Sequence, residues 1–167
     1  MIKSGEYKRR VVMSVIMLLG GWSVLAESRS ALPIQYCNAR YGFCIEIPAM
    51  FGRGPEPANG DGREFFDGEG FSLTVSAIRN IPEESLWEEL RRQEKEFDRV
   101  TYRRVRRERR WFVLSGYRGD SILYRKTYVG SDFIYHLFIR YPSSGSVKYG
   151  KLVSRIVGSF RPGPLEE

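Results

Sequence analysis

One histidine, His136, and two cysteines, Cys37 and Cys44, are the whole stock of imidazole and thiol in this 167-residue chain. That scarcity removes several function classes at once. No Ser–His–Asp or Cys–His arrangement can be read out, because the two cysteines are expected to bond to each other. A zinc site needs more ligands than one distant His136 adds to a cysteine pair. Gly60-Asp61-Gly62 is no phosphate loop, since neither the glycine-rich repeat nor a following Lys-Ser/Thr is present. Asp61, Asp67 and Glu69 lie among glycines, but their spacing fits no twelve-residue calcium loop, and turn chemistry accounts for Asp beside Gly. No catalytic residue, metal or cofactor is therefore expected.

Long apolar runs are equally scarce, with one exception. Val11 to Ala26 is apolar apart from Ser14, Gly20, Gly21 and Ser23, and follows Lys3, Lys8, Arg9 and Arg10. Val24-Leu25-Ala26 places small residues where signal peptidase needs them. Residues 1–26 thus read as a secretory signal peptide cleaved near Ala26. The run is shorter than the roughly 20 residues that cross hydrocarbon, which argues against a retained anchor. Without those residues, which hold four Lys/Arg and one Glu, the chain keeps +4 of its formal +7 charge. So modest an excess gives no reason to expect nucleic acid as a partner.

Export to the periplasm or beyond makes oxidation the default for Cys37 and Cys44. Asn38 to Phe43 contains turn formers between apolar stretches, which places the sulfurs opposite each other across a hairpin. A two-residue spacing, usual for redox pairs, is absent.

Beyond a short extension at 27–33, one domain is expected over 34–160. Pro162 and Pro164 mark 161–167 as a frayed tail. Strands are expected at 34–37, 43–47, 63–66 and 71–78, with an exposed Gly/Pro-rich loop over 51–62. The spacing predicts a helix over 82–98. Ser85 and Glu88 form a capping box there; Leu86, Leu90 and Phe97 are expected on one face and Glu89, Arg92 and Glu96 on the other. Strands follow at 100–106, 110–117, 121–129 and 132–141, then a helix over 146–159. The run 133–139 is apolar on both alternating faces, as in a central strand covered on each side. His136 on such a strand reads as a hydrogen-bonded core residue rather than an acid–base catalyst. The fold class is α+β, a mostly antiparallel sheet flanked by helices on both faces.

Tyr36-Cys37-Asn38-Ala39-Arg40-Tyr41-Gly42-Phe43 followed by Ile47-Pro48 resembles the opening hairpin of domains with the Mog1/PsbP-like fold. Asn59-Gly60-Asp61-Gly62, Ser115-Gly116-Tyr117, Tyr141-Pro142 and Ser159-Phe160 add to the likeness, which covers most of 34–160. The resemblance implies an α/β/α sandwich and an accessory or binding role without a shared active site; fold alone says little about the ligand.

One feature is unusual. Arg99, Arg103, Arg104, Arg106, Arg107, Arg109 and Arg110 put seven guanidiniums into twelve residues. On a hairpin of 100–106 with 110–117, Arg106 to Arg110 surround the tip, with Arg104 and Arg106 on one face and Arg103 and Arg107 on the other. Guanidinium forks bind carboxylate and phosphate bidentately, so Arg103, Arg104, Arg106, Arg107, Arg109 and Arg110 are the candidate partner-binding set. The plainer role is a charged edge that blocks sheet aggregation, with Glu83, Glu84, Glu88 and Glu89 neutralising part of it. The expected function is a non-enzymatic accessory domain of the cell envelope engaging a protein, as an inhibitor or immunity protein would. The alternative is a peripheral binder of anionic lipid or polysaccharide. A hydrolase using acids such as Asp61 and Glu64 is the third reading.

Overall fold

A computed structural model describes residues 32–165 except Pro82. The signal segment expected over 1–26 lies outside them. Nine strands and two α-helices follow in order: β1 (Ile34–Cys37), β2 (Cys44–Ile47), β3 (Gly52–Arg53), β4 (Gly62–Phe66), β5 (Ser72–Arg79), α1 (Leu86–Glu94), β6 (Arg99–Arg106), β7 (Trp111–Arg118), β8 (Ser121–Val129), β9 (Phe133–Pro142) and α2 (Ser146–Ser159). All pairings are antiparallel. β1 and β2 form a separate hairpin, and the other seven strands form one sheet in the order β3-β4-β5-β9-β8-β7-β6.

β9 holds the middle of that sheet because it can be buried on both sides. Tyr135, Leu137, Ile139 and Tyr141 join one core, and Ile134 and Phe138 join the other. The first core lies under α2 and the β1–β2 hairpin, with Phe43, Phe65, Leu73, Val75 and Phe160 at its heart. Tyr149, Val153 and Ile156 of α2 face it. Each such side chain contributes about 1.5–3 kcal/mol by leaving water. The second core is smaller: Leu90 and Phe97 from the α1 segment cover Phe112 and Leu114 of β7, Leu123 and Val129 of β8 and Ile134 of β9.

The hairpin over the first core is closed by the Cys37–Cys44 disulfide, between directly paired residues. The Asn38 carboxamide oxygen accepts the Arg40 and Tyr41 N–H groups at 3.0 and 2.9 Å, and Gly42 takes a left-handed φ of 71° that L side chains avoid.

Three expectations are corrected. The helix expected over 82–98 occupies only Leu86–Glu94, because the capping box makes Ser85 the residue before the first turn. Its Oγ accepts the Glu88 N–H at 3.3 Å, while the Glu88 carboxylate accepts the Ser85 N–H at 2.8 Å. At the other end, Glu96 and Phe97 N–H groups reach back three residues, to Gln93 and Glu94, and tighten the chain out of the helix. The loop over 51–62 is exposed at Arg53 and from Pro55 to Asn59 and is otherwise at least partly buried. At its start Phe51 is buried against the Phe71 ring, centroids 5.4 Å apart, and β3 pairs with β4. Residues 161–165 are no frayed tail: Arg161 bridges Cys44 through two 2.9 Å backbone hydrogen bonds, and the Pro164 carbonyl accepts the Tyr135 hydroxyl at 2.9 Å.

Candidate functional site

The arginine run folds as expected into a hairpin, with β6 on the outer edge of the sheet. A 3-10 turn over Arg107–Arg109 and a left-handed Arg110, φ 51°, connect it to β7. Alternation separates the side chains. On the α2 side Arg104 lies over the Trp111 ring at 5.8 Å, while on the α1 side Arg103 pairs with Glu94 at 3.1 Å. Arg99 covers Tyr117 at 4.8 Å. Of the acids expected to neutralise the run, Glu84 and Glu89 turn instead to Arg92, and Glu88 to Ser85. Arg106, Arg107 and Arg109 form no ion pair among the described residues and stand exposed at the tip.

Glu89 is the larger surprise. It was expected on the solvent face of α1, yet it is fully buried beside Leu90 and Gln93. Helix spacing sets Glu89 and Gln93 one turn apart over Thr127 and His136, which are direct partners between β8 and β9. The Gln93 amide donates to Glu89 Oε1 at 2.5 Å and to Thr127 Oγ1 at 2.9 Å, and lies 3.2 Å from His136 Nδ1. Arg92 reaches the other Glu89 oxygen. Burial pushes the Glu89 pKa up, helped by neighbouring Glu84 and opposed by Gln93 and Arg92. Burial also pulls His136 down to about 3, with Arg125 and Arg92 adding repulsion. The 3.8 Å approach of His136 Nδ1 to Glu89 Oε1 is therefore contact with a neutral imidazole and not an ion pair at neutral pH. The one signal in the sequence was spacing, which does not by itself show that a carboxylate there finds partners. Glu89 and Gln93 flank Leu90 on the stripe that runs from Leu86 to Phe97, so they share its burial.

His136, with 15% of its side chain exposed, looks into a cleft of about 240 Å³ bordered by Thr74, Ser76 and Ile78 of β5. Ser76 is its register partner, so serine, imidazole and carboxylate meet on one face. No hydrogen bond joins Ser76 to His136 among the described residues. An imidazole that titrates near 3 is too weak a base to activate a hydroxyl at neutral pH. The arrangement is a satisfied polar network linking helix to sheet.

Asp61, Asp67 and Glu69 lie between strands. Asp67 accepts the Glu69 and Phe71 N–H groups at 2.7 and 3.0 Å and the Tyr149 hydroxyl at 2.6 Å. Burial works against its ionisation, but these hydrogen bonds outweigh it and hold the carboxyl below its usual range. Glu69 pairs with Lys148, and Asp61 accepts from Asn59 at 2.7 Å. Glu64 is exposed on β4. Among the described residues, no three His, Cys, Asp or Glu side chains gather as a metal-ligand set.

No family model matches the chain, and no curated protein does. Solved structures do. The solution structure of cyanobacterial PsbP (CyanoP) from Synechocystis sp. PCC 6803 superposes with a TM-score of 0.59 at 11% identity, over 86% of this chain and 99% of that one. The fold is PsbP-like. A crystal structure from Bacteroides thetaiotaomicron VPI-5482 superposes with a TM-score of 0.50 at 9% identity, over 83% of this chain and 50% of that one. At such identities the likeness establishes the PsbP-like architecture and no shared chemistry.

Proposed function

We propose that this PsbP-like chain is a non-enzymatic binding domain of the cell envelope, exported after cleavage near Ala26, that engages an acidic surface on a protein partner through the β6–β7 hairpin. The observation that carries the reading is the arginine excess at the tip. Arg103, Arg104 and Arg99 are engaged within the domain, whereas Arg106, Arg107 and Arg109 are presented beyond it in no ion pair among the described residues, with Glu108 the one acid between them. A tight turn on an edge strand of a stapled scaffold holds them in place, so little order is lost on binding. The Cys37–Cys44 disulfide is compatible with an oxidising compartment.

The test is a pull-down from an envelope extract, with the exported product as bait and washes of rising salt. One stoichiometric protein should survive high salt, and should be lost when Arg106, Arg107 and Arg109 are changed to Ser. Capture only of anionic lipid or polysaccharide, released as salt rises, would instead move the function to the membrane surface. Retention of the same protein by the triple variant would remove the hairpin from the account.

A further inference from the structure

The α1 side of the sheet holds a second, larger cleft at its far end. It measures about 480 Å³ and is lined by Glu96 beyond α1, Arg118 of β7, Leu123 and Arg125 of β8, and Phe138 and Arg140 of β9. Its volume is in the range of small-molecule sites, roughly 300–1,000 Å³. The β register explains the convergence. Leu123 pairs with Arg140 and Arg125 with Phe138, so all four side chains share one face, and Arg118 closes the hairpin opposite Ser121.

Three guanidiniums therefore border a cleft with one acid in its lining. That acid, Glu96, is taken by Arg125, whose guanidinium lies 4.3 Å from the Phe138 ring centroid. Arg125 still leaves its buried Nε without a hydrogen-bond partner. Burial lowers the Arg125 pKa, opposed by Glu96. Arg140 donates through Nε to Ser121 Oγ at 3.2 Å, which aims the fork and leaves its two terminal nitrogens unbonded among the described residues. Arg118 has no ion pair among the described residues. The Asp98 carboxylate, which accepts the Gly119 N–H at 2.7 Å, is not part of the lining. Three guanidiniums against one carboxylate leave an excess of positive charge, and a cleft with such an excess concentrates anions.

We propose that this cleft binds a small organic anion, with Arg118 and Arg140 gripping its oxyanion group and Leu123 and Phe138 receiving its apolar part. A fork held by Ser121 favours planar, two-point recognition, as a carboxylate or phosphate group offers. The site is separate from the hairpin tip and does not depend on the partner proposed there.

The test is a titration of the full chain, followed by amide NMR at physiological salt. The probes are succinate, inorganic phosphate and, as the neutral control, succinamide. Saturable shifts confined to the residues around Arg118–Leu123 and Phe138–Tyr141 are expected with at least one anion and none with succinamide; which anion responds identifies the head group. Arg118→Ala and Arg140→Ala should each weaken binding about tenfold. Arg140→Lys, which keeps the charge and loses the fork, should weaken it as well. The Ser variants of Arg106, Arg107 and Arg109 should bind the anion normally, so failure here is distinguishable from failure of the hairpin proposal. No saturable shift with either anion, or equal response to succinamide, would overturn the assignment.

Discussion

The two faces of the seven-stranded sheet are built on different principles. The α2 face is closed over its central strands. Phe43, Phe65, Phe71, Tyr135, Tyr149 and Phe160 interlock there under a helix and a disulfide-closed hairpin, and the chain end is bonded back over it. The α1 face is covered only in part. A compact apolar patch gives way to the Glu89–Gln93–Thr127–His136 network, and then to clefts where Ser76, Ile78, Arg118 and Arg140 meet solvent. Burial of large aromatic area holds the fold on one side, which leaves the other free to carry charge that would otherwise be too costly. A domain arranged in this way can vary one face without losing its structure.

That contrast can be broken first by substitution. Phe43→Ala removes a fully buried ring that meets Tyr36, Tyr135 and Phe160, and should cost about 3–5 kcal/mol in urea unfolding. A loss near that of a surface change would show that the α2 face is not the stabilising one. Replacing Cys37 and Cys44 together by Ser should cost about 2–3 kcal/mol, since the bridge closes a short loop in the unfolded chain. Alkylation of the unreduced protein should label no thiol.

The polar network should be visible in pH. His136 is held near 3 in the fold against 6.5 when unfolded, so below pH 6.5 the unfolded chain takes up a proton that the folded chain refuses. Stability attributable to His136 is therefore full above pH 6.5 and falls as pH drops toward 3, by up to about 1.4 kcal/mol per unit. Glu89 acts in the opposite sense. Its raised pKa makes the folded state hold a proton longer than the unfolded one, so its own contribution weakens as pH rises above 4.5. The difference between wild type and His136→Gln isolates the histidine; parallel pH profiles would show that His136 does not titrate differently on unfolding. The smallest effect belongs to the charged edge: Arg103→Ser breaks a half-exposed pair with Glu94 and should change stability by about 0.2–1 kcal/mol, less in high salt.

How far the sequence could be read followed the range of the interactions involved. The capping box at Ser85 and Glu88, the Gly119-Asp120 turn and the doubly apolar run of β9 are local signals, and each lies where local chemistry places it. The Arg103/Arg104 split follows from strand alternation alone. The burial of Glu89 does not, because a carboxylate at that spacing is assigned to solvent unless Thr127 and His136 are known to meet the Glu89–Gln93 pair across 34 to 47 residues of chain. The convergence of Arg118, Arg125 and Arg140 was hidden for the same reason: three residues on three strands share a cleft only once β7, β8 and β9 are in register.

The amino-acid sequence by itself determined the α+β class, the strand succession apart from the two-residue β3, and the paired cysteines, since periodicity, turn residues and caps act within a few residues of one another. Tertiary structure alone decided which polar groups are buried, which arginines are already engaged and where charge gathers without a partner. Those properties depend on pairing between distant segments, and on how much of each sheet face one short helix can cover.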